Sequence, residues 1–146
     1  MPTFNFSDEF KQVLALSREE AARCNHEYIG TEHLLLGIIR DSQGKANRAL
    51  QNLNVKLPLV QQTVLETVQM GNKPLRPNYE LPYTSRTKRV LELSIDEAAL
   101  LGQDSVGPEH LLMGLIREQK GIAAQILNHV GVTEDAARAE VNRLVS

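Results

Sequence analysis

Two carboxylates stand in the same phrase at two places in the chain: Glu32 in GTEHLLLGIIR (residues 30–40) and Glu109 in GPEHLLMGLIR (107–117). Each begins a helical stretch, where a carboxylate complements the positive end of the helix dipole. A capping box would put the acid three residues after the cap. That place holds Leu34 or Leu111, so the carboxylates are not used in a standard box. Two roles stay open for them: dipole complementation, or facing outward to receive a cation. Ser7 and Thr84 are a second matched pair, each heading a helix. A hydroxyl beside free first-turn amides either caps the helix or helps to hold an anion such as phosphate.

Other chemistry is harder to build. A phosphate-cradling loop needs G-x-x-x-x-G-K-[ST], and no stretch matches it, so ATP hydrolysis by that route is excluded. The histidines are His26, His33, His110 and His129. The Glu-His pairs at 32–33 and 109–110 lack the second histidine of H-E-x-x-H, and each is followed by Leu-Leu. No metal site and no cofactor are expected; the histidines are read as packing near helix ends and bonding to backbone. Cys24 is the one cysteine and its counterpart in the second phrase's repeat is Leu101, which points to a half-buried filler rather than a nucleophile. Catalysis by Glu32 and Glu109 would require that they converge in one cleft. The chain is therefore read as a non-enzyme.

The elements that position these residues come from a duplication. A shift of 77 aligns residues 7–55 with 84–132 without a gap, and 20 of the 49 positions are identical. The matches include Lys11/Lys88, Val13/Val90, Ser17/Ser94, Gly44/Gly121 and Leu50/Leu127. Each copy reads as four helices. In the first, Ser7 caps a helix carrying Phe10, Val13, Leu14, Ser17 and Ala21 at helical spacing. Thr31 is expected to cap helix 32–40, whose apolar residues nearly surround it and mark it as buried. Shorter helices follow over 45–53 and from about Pro58 to Gln69. The second copy repeats the plan, with Pro108 tolerable at a helix start and Thr133 opening the last helix. Residues 69–83, QMGNKPLRPNYELPY, hold three of the six prolines and read as an extended connector, non-helical over 71–82. The fold class is all-α: eight helices as two pseudo-symmetric four-helix repeats, 7–68 and 84–145, forming one domain over 1–146. Such small units bury little alone, so they are expected to pack on each other.

Bulk properties agree. The 146 residues are 42% apolar and 23% charged, with a net charge of -2. Residues 7–66 carry 7 basic and 8 acidic groups, and 84–143 carry 7 and 9, so neither half is a nucleic-acid footprint. One cysteine permits no internal disulfide, no run is long and apolar enough for a membrane helix, and the first residues lack a signal-peptide layout. A cytoplasmic, soluble protein is expected.

The doubled G-[TP]-E-H-L-L-[LM]-G-[LI]-I-R phrase, Phe6-Ser7 and Tyr83-Thr84-Ser85-Arg86 at the helix starts, and Leu91 to Ala98 (LELSIDEA) together resemble the Clp N-terminal domain family, with a likeness to its ClpC-type members. The resemblance spans nearly the whole chain. It implies a non-catalytic module that docks adaptors and marked or unfolded substrates for a hexameric ATP-driven unfoldase, covalently linked in the parent chain. A free-standing adaptor without the ATPase is the alternative. The resemblance also implies recognition of phosphorylated arginine, with Ser7 acting beside Glu32 and Thr84 beside Glu109. Ser7 stands where threonine is usual, and Pro108 removes a hydroxyl and a backbone donor beside Glu109, which weakens that second site.

Overall fold

The computed structural model describes residues 5–72 and 80–145. Eight helices follow in order: α1 (Asp8–Arg23), α2 (Thr31–Arg40), α3 (Lys45–Asn52), α4 (Leu57–Thr67), α5 (Ser85–Leu100), α6 (Pro108–Glu118), α7 (Ile122–His129) and α8 (Glu134–Val145). No strand occurs among the described residues, although two isolated parallel bridges do, Phe6 with Val106 and Ile29 with Tyr83. In the connector, 71–72 and 80–82 are non-helical, while 73–79, with Pro74 and Pro77, lie outside the described residues.

The start and stop signals act locally. Ser7 Oγ accepts from the Phe10 N–H (3.0 Å) and Thr84 Oγ1 from the Thr87 N–H (3.1 Å), so both hydroxyls are N-caps. Thr133 does the same for Ala136. Beyond α1 the chain turns through Asn25 in the left-handed region, matched by Gly102 beyond α5; Asn54 and Gly131 are a second such pair. Glycine and asparagine are the residues that reach this region cheaply. Thr31 departs from its expected place. The N-cap of α2 is Gly30, and Thr31 is the first helical residue.

α2 and α6 form the centre. Leu34, Leu35, Ile38, Leu111, Leu112 and Leu115 are all at most 1% exposed, as their all-round apolar pattern requires. α1 lies closely on α2, and α5 on α6. Gly37 and Gly114 make those crossings possible. A Cβ on Gly37 would come within 2.8 Å of the Val13 carbonyl oxygen, and one on Gly114 within 2.6 Å of that of Val90. At the same crossings Ser17 Oγ donates to Val13 O (2.7 Å) and Ser94 Oγ to Val90 O (2.8 Å), which satisfies two fully buried hydroxyls.

The repeats are interleaved rather than set side by side as separate bundles. α3 packs on α6 and α8 of the second repeat, while α7 packs on α2 and α4 of the first. One continuous core results, running from Phe10 to Val141. Neither repeat encloses its own apolar surface, so each supplies the other's missing wall.

Candidate functional site

The bridges decide which residues meet. Ile29 N–H donates to Pro82 O (2.9 Å) and Thr84 N–H to Ile29 O (3.1 Å), which fastens the start of α5 beside the start of α2. Ser7 N–H donates to Val106 O (3.0 Å) and Val106 N–H to Asn5 O (2.8 Å), which fastens the start of α1 beside the start of α6. The pairing is therefore crossed. Thr84 lies beside Glu32, and Ser7 sits beside the α6 start that carries Glu109. The expected pairs, Ser7 with Glu32 and Thr84 with Glu109, are corrected by this exchange between repeats.

Glu32 and Thr84 line one cavity of about 370 Å³. Tyr28, Thr31, Arg86 and Lys120 are among its other walls. Glu109 is not, so the two carboxylates do not share this cleft and the acid–base pair has no geometric basis here. Of the two roles left open for them, facing outward is not seen: Glu32 and Glu109 are each 5% exposed. Each folds back over the glycine that caps its helix, and a Cβ at Gly30 or Gly107 would lie 2.9 Å from the carboxyl carbon. Only glycine leaves room for that posture. Burial of a carboxylate is costly without a partner. Glu109 has one, Lys45 Nζ at 3.7 Å. Glu32 makes no hydrogen bond or ion pair with a described residue, and its charge, after burial itself, raises the Tyr28 phenol pKa.

The cavity also has basic walls. Arg86 is half exposed and holds Glu118 at 3.1 Å, and Lys120 is exposed. Glu118 Oε1 also accepts from the Gly121 N–H (2.6 Å), capping α7. Thr31 Oγ1 accepts from the Ala123 N–H (3.3 Å), which ties α2 to that same helix start. The arrangement combines a buried carboxylate unpaired among the described residues, two cations and the start of α5, whose first-turn amides lie beyond helical bonding.

A second cluster underlies the first repeat. His33, third in α2, accepts the Gly30 N–H on Nδ1 (2.8 Å), as His110 accepts that of Gly107. A histidine thus performs the reciprocal half of a capping box that the leucines at 34 and 111 could not supply. The proton of neutral His33 is then on Nε2, 2.8 Å from His26 Nδ1, and His26 Nε2 meets Gln69 O at 2.5 Å. This chain of bonds anchors the connector beneath the site, and Tyr28 stacks on His26 with centroids 5.1 Å apart. Burial, then His26, pushes the His33 pKa down to about 4. Cys24, His26 and His33 bring possible metal-ligand atoms within 4.8 Å of one another, a convergence the linear spacing did not reveal. The bond from Gly30 keeps the His33 Nε2 lone pair blocked by its proton, so that atom cannot ligate while α2 is capped. Cys24 is buried outright, 2% exposed rather than half-buried, and burial raises its thiol pKa. In the second repeat Gln103 stands in place of His26, and the buried His110 Nε2 has no hydrogen-bond partner among the described residues.

The sequence profile of the Clp repeat (R) N-terminal domain matches residues 5–119 and again 94–146. The chain belongs to the Clp N-terminal domain family. Among relatives of this Clp N-domain, the chaperone protein ClpB of Oceanobacillus iheyensis is 46% identical over 140 residues, and the negative regulator of genetic competence ClpC/MecB of Bacillus subtilis is 44% identical. Each alignment covers 96% of the chain but 17% of the relative, so the chain spans about a sixth of their length. Solved N-domains share the fold. That of ClpD from Arabidopsis thaliana superposes with a TM-score of 0.76 at 20% identity, covering 97% of this chain and 96% of that one. The Hsp104 N-terminal domain from Candida albicans gives 0.79 at 16%, covering 97% and 92%. No described helix is long and apolar enough to cross a membrane.

Sequence reasoning missed Tyr28 and Lys120 as parts of the site. Lys120 follows the buried helix and precedes α7, which only becomes a neighbour of Glu32 once the repeats interleave.

Proposed function

We propose that this Clp N-domain is the non-catalytic docking module of a Clp-type unfoldase, and that it recognises phosphoarginine-marked proteins through the Glu32–Thr84 cavity. One observation carries the reading: the Glu32 carboxylate is buried without an ion-pair partner among the described residues, in a cavity also lined by Arg86, Lys120 and the start of α5. A guanidinium supplies the missing partner for the carboxylate. A phosphate on that guanidinium then meets the cations and first-turn amides. Supporting the wider role, the matched relatives are Clp proteins, several of them named chaperones. The parent chain would hold the ATPase ring that receives the docked substrate.

Calorimetric titration tests the ligand. Phosphoarginine binds more tightly than arginine or inorganic phosphate, and added salt weakens it because the cavity's cations are exposed. Glu32→Ala weakens it by about tenfold or more, the scale of one charge-assisted pair. Equal affinity for arginine and phosphoarginine, or binding untouched by Glu32→Ala, refutes the assignment.

A further inference from the structure

The two crossed junctions are equivalent by fold but opposite in charge. At the Glu32–Thr84 junction the walls include Arg86 and Lys120. At the 77-residue offset, the Ser7–Glu109 junction has Glu9 in place of Arg86 and Gln43 in place of Lys120. Arg86 neutralises Glu118, whereas Glu9 confronts that residue's counterpart, Asp41, and after burial its charge is what holds the Asp41 carboxyl above its usual pKa. The carboxylates differ too. Ile122 lines the same cavity as Glu32, which is unpaired among the described residues, but the matching residue is Lys45, whose ammonium reaches Glu109. One junction thus sets two cations against two carboxylates, and the other, where Asp8 stands in place of Ser85, sets one cation against four carboxylates.

We propose that the junctions have opposite ligand preference: the Glu32–Thr84 junction takes the phosphorylated guanidinium, while the Ser7–Glu109 junction rejects phosphate and takes only a bare cationic side chain, in competition with Lys45 as its internal occupant. The first half rests on the reading under Proposed function; the second does not. A dianionic phosphate brought toward Glu9 and Asp41 meets like charge at close range, which opposes binding. A guanidinium meets a cluster of negative charge, and its rival among the described residues is a half-exposed lysine at long pairing distance.

Amide NMR resolves the junctions separately, because Gly30 and Gly107 lie directly under the two carboxylates. Phosphoarginine shifts Gly30 and leaves Gly107 in place. Methylguanidinium shifts Gly107, and Lys45→Ile tightens that response about three- to fivefold, the worth of one exposed pair, with Gly30 unchanged. Glu9→Arg with Lys45→Ile imports the other junction's residues and brings phosphoarginine to Gly107. Both positions are exposed, so the fold persists, and Glu9→Arg alone serves as the milder variant. Phosphoarginine acting on Gly107 in the unaltered chain as strongly as on Gly30 overturns the charge sorting. So does a double variant still silent at Gly107 while Gly30 responds. If phosphoarginine shifts neither glycine, the reading of the Glu32 site fails; methylguanidinium still decides the role of Lys45, which is overturned if Lys45→Ile leaves Gly107 unchanged.

Discussion

Gly37→Ala pits one local effect against the close crossing of α1 and α2. In a helix interior, alanine is better than glycine by about 1 kcal/mol, so helix propensity alone makes the change stabilising. The crossing of α1 and α2 reverses the sign. The added Cβ would sit 2.8 Å from the Val13 carbonyl oxygen, closer still to Ser17 Oγ, and 3.1 Å from the Ser17 nitrogen. Comfortable contact needs about 3.5 Å. Ser17 Oγ cannot swing away without abandoning its bond to Val13 O in a fully buried site, and the backbone atoms move only if the helices separate. Overpacking of this kind costs about 1–3 kcal/mol and sometimes more. Because backbone is struck, the upper part of that range applies, leaving a net loss of about 1–2 kcal/mol after the propensity gain. Urea denaturation followed by circular dichroism measures it. Adding Ser17→Ala to Gly37→Ala recovers only part of the loss, since the Val13 oxygen remains. A Gly37→Ala chain as stable as the parent refutes the reasoning, and Gly114→Ala should behave alike at the second crossing.

Leu35→Ala and Leu112→Ala each lower stability by about 2–5 kcal/mol, the cost of a cavity at a site with no exposure; a loss below about half a kcal/mol would place them on a surface. Acid should destabilise the fold through the buried histidines. His33 is held down to about 4 from an ordinary 6.5, and burial lowers His110 also, so the unfolded chain binds protons first as pH falls. Their stabilisation is complete above about pH 6.5 and is lost as pH drops toward 4. Unfolding free energies between about pH 7 and pH 5, above the main carboxylate range, check this: the slope shrinks in His33→Gln with His110→Gln, and a flat parent profile contradicts it.

The repeat, the eight helices and the buried faces of α2 and α6 are legible in the linear order because they depend on local periodicity. Leu34, Leu35 and Ile38 recur at helical spacing whatever lies across from them, and Ser7 and Thr84 cap helices with their own neighbouring amides. The candidate residues Ser7, Glu32, Thr84 and Glu109 stand out for the same reason, through identity repeated at one offset. Their partnership does not. A duplication allows Ser7 to meet Glu32 or Glu109 with equal symmetry, and the backbone bridges from Ile29 to Tyr83 and from Phe6 to Val106 choose the crossed arrangement. That choice is made by interleaving, which neither repeat can specify before it finds the other's uncovered surface. The same non-local packing buries Glu32 without an ion-pair partner among the described residues, brings Lys45 to Glu109, and turns Arg86 and Glu9, equivalent in position, into the opposite poles of two sites.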